Sequence, residues 1–254
     1  MGEDSLRKTR KVIISIDRGI DKVLTVLFLI LLLLGVYFAY DSYYVFNAAS
    51  LNPLAGYKPV GEDTSRLRTL SPDVVAWIEI FDTRIDYPVM QGKDNSEYLN
   101  KNPYGDYSLS GSIFLDSYNA PDFSDDYNVL YGHHMSGGYM FGAIDAFEDE
   151  EYFDQHRNGL LTTIDGARYA VEIFAFMETD AKESLVFDVT EEGDRHEFIA
   201  SNSSVYRAAE GQILAMSTCK SPLTTERTVI FGIMSDYVEP PKQIAGVGPR
   251  GSVK

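Results

Sequence analysis

Cysteine occurs once in the 254 residues, at Cys219. It lies between two apolar runs in the stretch QILAMSTCKSPLTTERTVIFGIM, residues 212–234. A lone thiol builds no internal disulfide framework, and in an oxidising compartment it has to be buried, inert or functional. As a nucleophile it needs a base or a cationic neighbour to become thiolate near neutral pH. His133 and His134, adjacent in YNVLYGHHM at 127–135, are the candidates for that base. Arg227, eight residues past the cysteine, can hydrogen-bond a carbonyl oxygen as negative charge develops on it. Brought together, thiol, imidazole and guanidinium would attack a carbonyl carbon. Two other readings stand beside this one. The same residues could be a buried cysteine, a structural histidine pair and a surface arginine. They could also be a His-His-Cys metal site, although a fourth ligand and familiar spacing are lacking.

Positioning these groups falls to strands. Both runs flanking Cys219 are rich in β-branched and aromatic residues and read as two strands joined by a loop, with Cys219 ending the first and Arg227 starting the second. YNVLY reads as a buried strand ending at Gly132, with both histidines at its exit, where loop residues often carry chemistry. Residues 77–80, 83–90 and 111–116 give further short strands, and 160–164 with 168–177 form a hairpin around Asp165-Gly166. Ser71-Pro72-Asp73 predicts a helix start. Residues 140–156 predict a helix with Phe141, Ile144, Phe147 and Phe153 as its apolar set, and residues 180–210 are polar and partly helical. His156 and His196 read as surface residues. Many short strands with inserted helices favour a mostly-β barrel.

Composition narrows the partners. The chain carries a formal charge of −16. Its first forty residues hold six Lys/Arg against four Asp/Glu, so the remainder carries −18. An acidic body argues against nucleic acid, which needs a basic footprint. No Gly-rich phosphate loop and no cofactor motif is present, so no cofactor is expected. Arg7, Lys8, Arg10 and Lys11 precede an uncharged apolar run over residues 23–40. Eighteen residues span about 27 Å as a helix, close to the thickness of a bilayer's hydrocarbon core. Tyr37, Tyr40, Tyr43 and Tyr44 supply an aromatic cluster at its far end, and the basic side should stay cytoplasmic. A cleaved leader is the rival reading; the apolar run exceeds a usual leader core, and small residues occur only at Ala39 or the Ala48-Ala49-Ser50 group.

The strings VLYGHHMSGGYMF, LAMSTCK and ERTVIFGIM, together with the N-terminal apolar run, resemble the sortases, membrane-anchored cysteine transpeptidases of Gram-positive bacteria. Trp77-Ile78, the Tyr-Gly-His-His-Met string and the helix-like segment 141–156 resemble class B most. The absence of a DPW- or DPF-type lid sets the chain apart from many class C pilin polymerases. The resemblance covers roughly residues 70–238 and implies an eight-stranded β-barrel with N-terminal helices and a helical insertion before the seventh strand. It divides the chain into a cytoplasmic basic tail (1–22), a transmembrane anchor (23–40), a membrane-proximal helix or stalk (41–69), the catalytic barrel (70–238) and a flexible C-terminal tail (239–254), with the barrel outside the cell. By resemblance Cys219 is the nucleophile, His133 the acid–base group and Arg227 the oxyanion donor. Ser217 and Thr218 shape the groove and oxyanion site, and His134 is auxiliary. No metal is implied. The partners implied are secreted proteins with a C-terminal sorting motif and an amine, from a peptidoglycan precursor or from a pilin lysine.

Overall fold

The computed structural model describes residues 2–49, 53–219 and 225–239. The tail from residue 240 onward, which the sequence reads as flexible, lies outside the described residues. Helix α1 runs from Glu3 to Ala49. Over Ile16–Asn47 it is long and apolar enough, by length and composition, to cross a membrane. Its apolar side chains are open to the surroundings, Leu33 by 68%. In water such a face would be costly; in a bilayer it is solvated by lipid. The helix continues unbroken from the run at 23–40 through Ala49.

The remaining described residues form a closed sheet. Its strands are β1 (Val74–Ile80), β2 (Asp86–Met90), β3 (Ile113–Leu115), β4 (Tyr127–Tyr131), β5 (Asn158–Thr163), β6 (Arg168–Asp180), β7 (Gln212–Cys219) and β8 (Glu226–Asp236). Around the ring the order is β8-β7-β4-β3-β2-β1-β5-β6, and β6 pairs back onto β8 to close an eight-stranded barrel. The β4–β7 and β2–β3 pairs are parallel and the others antiparallel, so the barrel is mixed. Closure removes the sheet edges that would otherwise template association. A two-residue strand, Val205–Tyr206, adds to β6 from outside the ring.

Two sequence expectations are corrected. Ser71-Pro72-Asp73 does not open a helix, because β1 begins at Val74. Val74 to Trp77 are all buried, as a strand packed on both faces requires, and β-branched valines suit that conformation. Asp73 accepts instead from the Tyr98 hydroxyl at 2.7 Å. The segment 140–156 is likewise not one helix. A 3-10 stretch, Phe141–Glu148, is followed by α2, Glu150–Gln155, and Asp149 breaks the two by capping the Tyr152 N–H at 2.8 Å. Its four predicted apolar anchors are nonetheless fully buried.

The alternation of β7 separates two apolar layers. Leu214 and Met216 point into the barrel core with Ile78, Val89, Phe114 and Ile230. Ile213 and Ala215 face outward and pack with Val129, Phe174, Val229 and Phe231. The residues between β6 and β7 cover that outer face. They hold α3 (Ser184–Phe187) and α4 (Arg195–Asn202), which contribute the buried Val186 and Ile199. Arg195 stitches this cover to itself, donating to the carbonyls of Leu185, Asp188 and Glu191 at 2.8–3.1 Å while lying over the Tyr127 ring. Tyr127 returns a hydrogen bond to the Val186 carbonyl at 2.9 Å.

Candidate active site

Three neighbouring strands carry the residues of interest. In the β7–β8 ladder Cys219 is the direct partner of Arg227. In the parallel β4–β7 ladder Ser217 is the partner of Tyr131, and the Gly132 N–H extends the pairing to the Ser217 carbonyl at 3.1 Å. Two residues further along both chains, His133 falls level with position 219. Histidine, just past the end of β4, therefore falls at the level that cysteine and arginine share on β7 and β8. All three positions share the parity of the outward set Ile213, Ala215, Val129 and Val229. The Cys219 side chain and residues 220–224 lie outside the described residues.

Gly132 has a local reason to be glycine. A Cβ there would collide with the Ile113 side chain and come within 2.8 Å of the Phe141 ring. The strand exit can pass under Phe141 only without a side chain, and His133 then emerges with its carbonyl accepting the Phe141 N–H at 3.1 Å. His133 Nε2 lies 2.6 Å from the Leu99 carbonyl oxygen. A carbonyl only accepts, so Nε2 carries a proton in this contact. His134 turns elsewhere, to Asp145 Oδ2 at 2.6 Å. The two histidines thus have different partners, as alternation along an extended chain requires.

His133, Ser217, Thr218 and Arg227 line one cleft of about 300 Å³. Its apolar walls are Leu99 and Phe187, and its polar wall is Asn95 and Tyr131. Ser217 and Thr218 are each only 2% exposed, and among the described residues neither hydroxyl has a hydrogen-bond partner. Unpaired buried hydroxyls cost about 1–3 kcal/mol each, which marks this floor as a place where a ligand's polar groups would be welcome. The Arg227 guanidinium donates to the Glu226 carbonyl at 3.2 Å. Beside it the Thr225 hydroxyl and the Lys182 N–H hold the Asp180 carboxyl below its ordinary range, and the Arg227 charge adds to this. Burial, reinforced by the adjacent Asp116 charge, pushes the Tyr131 phenol far above its usual range, so it stays protonated.

Asn95, Leu99, Ala181 and Phe187 were not among the sequence candidates. They come from segments 30 or more residues from the strand residues of the cleft, and no spacing rule connects them. Tyr131 had a signal, being adjacent to Gly132 at the exit of a strand. His156 and His196 are half-buried rather than free on the surface. His156 stacks on Tyr152 at 3.8 Å and bonds its carbonyl, and His196 bonds the Gly211 carbonyl at 3.0 Å.

The family model for the sortase domain matches residues 78–235. Sortase B of Listeria monocytogenes is 33% identical over 190 residues, covering 68% of this chain and 74% of that protein. Among solved structures, a Streptococcus pyogenes class B sortase involved in pilus biogenesis matches with a TM-score of 0.62 at 36% identity, covering 67% of this chain and 97% of that one. Sortase B from the type II pilus of Streptococcus pneumoniae matches with a TM-score of 0.57 at 34% identity, covering 68% and 98%. The chain therefore belongs to the sortase family, in its class B subgroup, and is an enzyme of the cysteine transpeptidase type.

Proposed function

We propose that Cys219 attacks a backbone carbonyl within the C-terminal sorting motif of a secreted protein and that an amine then takes over the acyl group, anchoring that protein to the cell wall. The observation that carries this is the common level of position 219 on β7, Arg227 on β8 and His133 at the exit of the adjacent β4. In the first half-reaction the Cys219 sulfur bonds to the carbonyl carbon and the carbon–nitrogen bond breaks. His133 gives a proton to the leaving amine, and a thioacyl-enzyme remains. In the second, the incoming amine nitrogen bonds to the same carbon, His133 takes its surplus proton, and the thiolate leaves. With Nε2 held by the Leu99 carbonyl, Nδ1 is the ring nitrogen left to exchange that proton. Arg227 offers a planar fork to the oxyanion in both steps. Ser217 and Thr218 shape the groove, helped by the backbone N–H groups next to Cys219, and His134 stays auxiliary.

The basic residues before α1's apolar stretch and the acidic body after it support an N-terminus inside the cell and a barrel outside. The division at 22, 40, 69 and 238 follows from the same reading. A second reading has a specific observation behind it: the matched structures from S. pyogenes and S. pneumoniae are described as pilus sortases. In that reading the resolving amine is a pilin lysine. The test uses the full-length chain in detergent with peptides bearing NPxTN-like or LPxTG-like motifs. Intact mass should show an acyl adduct on Cys219. Cys219→Ala should bind the peptide, form no adduct and cleave nothing; full cleavage by that variant would end this reading. Competing a cross-bridge peptide amine against a pilin lysine then separates wall anchoring from polymerisation.

A further inference from the structure

Among the described residues Asp116 is the one charged side chain in the fully buried set, at 2% exposure. The mechanism above gives it no task. Its three side-chain donors are neutral. The Tyr118 N–H reaches Oδ1 at 2.9 Å, and the Asn95 amide and the Tyr131 hydroxyl reach Oδ2 at 2.7 and 3.0 Å. Burying a carboxyl group against neutral donors is costly, so its presence directly behind the cleft wall calls for a role. The backbone beneath it is firmly held: its N–H donates to the Val129 carbonyl at 2.9 Å, and its carbonyl accepts from Gln91 at 2.9 Å.

The donors identify the role. Asn95 and Tyr131 are the polar wall of the candidate cleft. An ionised carboxylate only accepts, so it fixes the Asn95 amide with its NH₂ toward Asp116. The Ser117 N–H, 2.8 Å from Asn95 Oδ1, fixes the other end the same way. With both ends assigned, the amide cannot flip, and among the described residues its second N–H has no acceptor. Tyr131, donating its only proton to Asp116, keeps lone pairs that can accept. One donor and one acceptor of fixed sense are what an extended peptide unit can satisfy with its own carbonyl and N–H.

We propose that Asp116 is a positioning residue that sets the hydrogen-bonding sense of Asn95 and Tyr131 toward the substrate's backbone. This rests on the peptide-cleaving reading of the cleft. It acts through binding and not through the proton transfers at His133. In the full-length chain in detergent, with fluorogenic NPxTN-like and LPxTG-like peptides, Asp116→Asn should raise KM about tenfold, the equivalent of one hydrogen bond, with kcat changed less than about threefold. In an Asn95→Ala background the same change should add little, because the amide it orients is gone. A folded Asp116→Asn with unchanged KM, or losses that multiply fully with Asn95→Ala, would overturn the proposal. Should Asp116→Asn fail to fold, Asn95→Ala, Tyr131→Phe and their double variant decide it: coupled losses in KM support a shared carboxylate, and independent ones refute it. Cleavage surviving in Cys219→Ala would instead overturn the peptide-cleaving reading itself, so the two failures are told apart.

Discussion

The two faces of β7 do different work with the same eight residues. On the inner face Leu214 and Met216 are sealed in the barrel core and line no part of the cleft, which that face reaches only at the strand's end, at Thr218. The outer face begins under the β6–β7 insertion, with Ile213 and Ala215 packed on the layer that holds Val186 and Ile199. It reaches the cleft at Ser217, two residues before the strand ends at position 219. Along one strand, then, the outer face passes from structural cover to candidate chemistry where the insertion stops. The site is thus an interruption of the second apolar layer, met at the strand's end by Thr218 from the inner face. Substitutions should therefore separate: those at the open end should change rate and leave stability, and those inside should do the opposite.

The sharpest test at the open end is His133→Ala. A positioned acid–base group contributes about 10²–10⁴-fold, so kcat/KM on a cleavable sorting peptide should fall by that factor. The side chain is half-exposed and its bond to the Leu99 carbonyl is at the surface, so the melting temperature should stay close to that of the parent. A variant that melts much earlier would mean that His133 is a structural residue, and the contrast between the two faces would fail.

Met216→Ala probes the inner face three residues away from Cys219. Met216 is fully buried in the main core. Truncation to Ala there removes apolar contacts and leaves a cavity, costing about 2–5 kcal/mol of stability. Denaturant titration should show this loss. Turnover by the folded fraction should be nearly unchanged, because no atom of the cleft is removed. A large fall in kcat without loss of stability would show that the two layers are not separable.

Arg227→Lys returns to the open end with a smaller change. The charge stays and the planar fork goes. Removing one oxyanion donor in other enzymes costs about 10²–10³-fold, and keeping the charge should place this variant at or below the lower end, about 10²-fold in kcat. Peptide binding to a Cys219→Ala/Arg227→Lys double variant should remain close to that of Cys219→Ala, because oxyanion contacts count in the transition state. Full activity would leave only a charge effect.

What could be read in the sequence follows the same division. The strands bearing Gly132, Cys219 and Arg227 were legible because each is a short apolar run with a clear end, and the barrel class followed from their number. Helix and strand were confused at Ser71-Pro72-Asp73, where cap-like residues stand before a strand and only long-range pairing with β2 and β5 decides. The break at Asp149 was hidden because the apolar spacing of Phe141, Ile144, Phe147 and Phe153 survives it. Within the site, residues on the strands were legible and residues on the walls were not. Asn95 and Leu99 arrive on a polar, turn-rich loop, and Phe187 on the insertion. Their place in the cleft depends on contacts such as Tyr127 to Val186 and His133 to Leu99, which leave no local pattern.

The smallest expected effect is at His134, and it is the most informative about the strand argument. His134 follows His133 directly, yet its imidazole bonds Asp145 Oδ2 at 2.6 Å and takes no part in lining the cleft. That pair is partly exposed, with the His134 side chain open by 30% and Asp145 by 51%. Partly exposed polar pairs of this kind contribute about 0–1 kcal/mol. His134→Ala should therefore lower stability by no more than about that amount, and kcat/KM should fall less than about fivefold, the rate equivalent of the same energy. Asp145→Ala should reproduce the effect, since it removes the same pair from the other side, and the double variant should be no worse than either single one. If instead His134→Ala were folded and inactive while His133→Ala kept near-normal turnover, the imidazole serving Cys219 would be the second of the pair. The level shared by β4, β7 and β8 would then have to be moved by one residue.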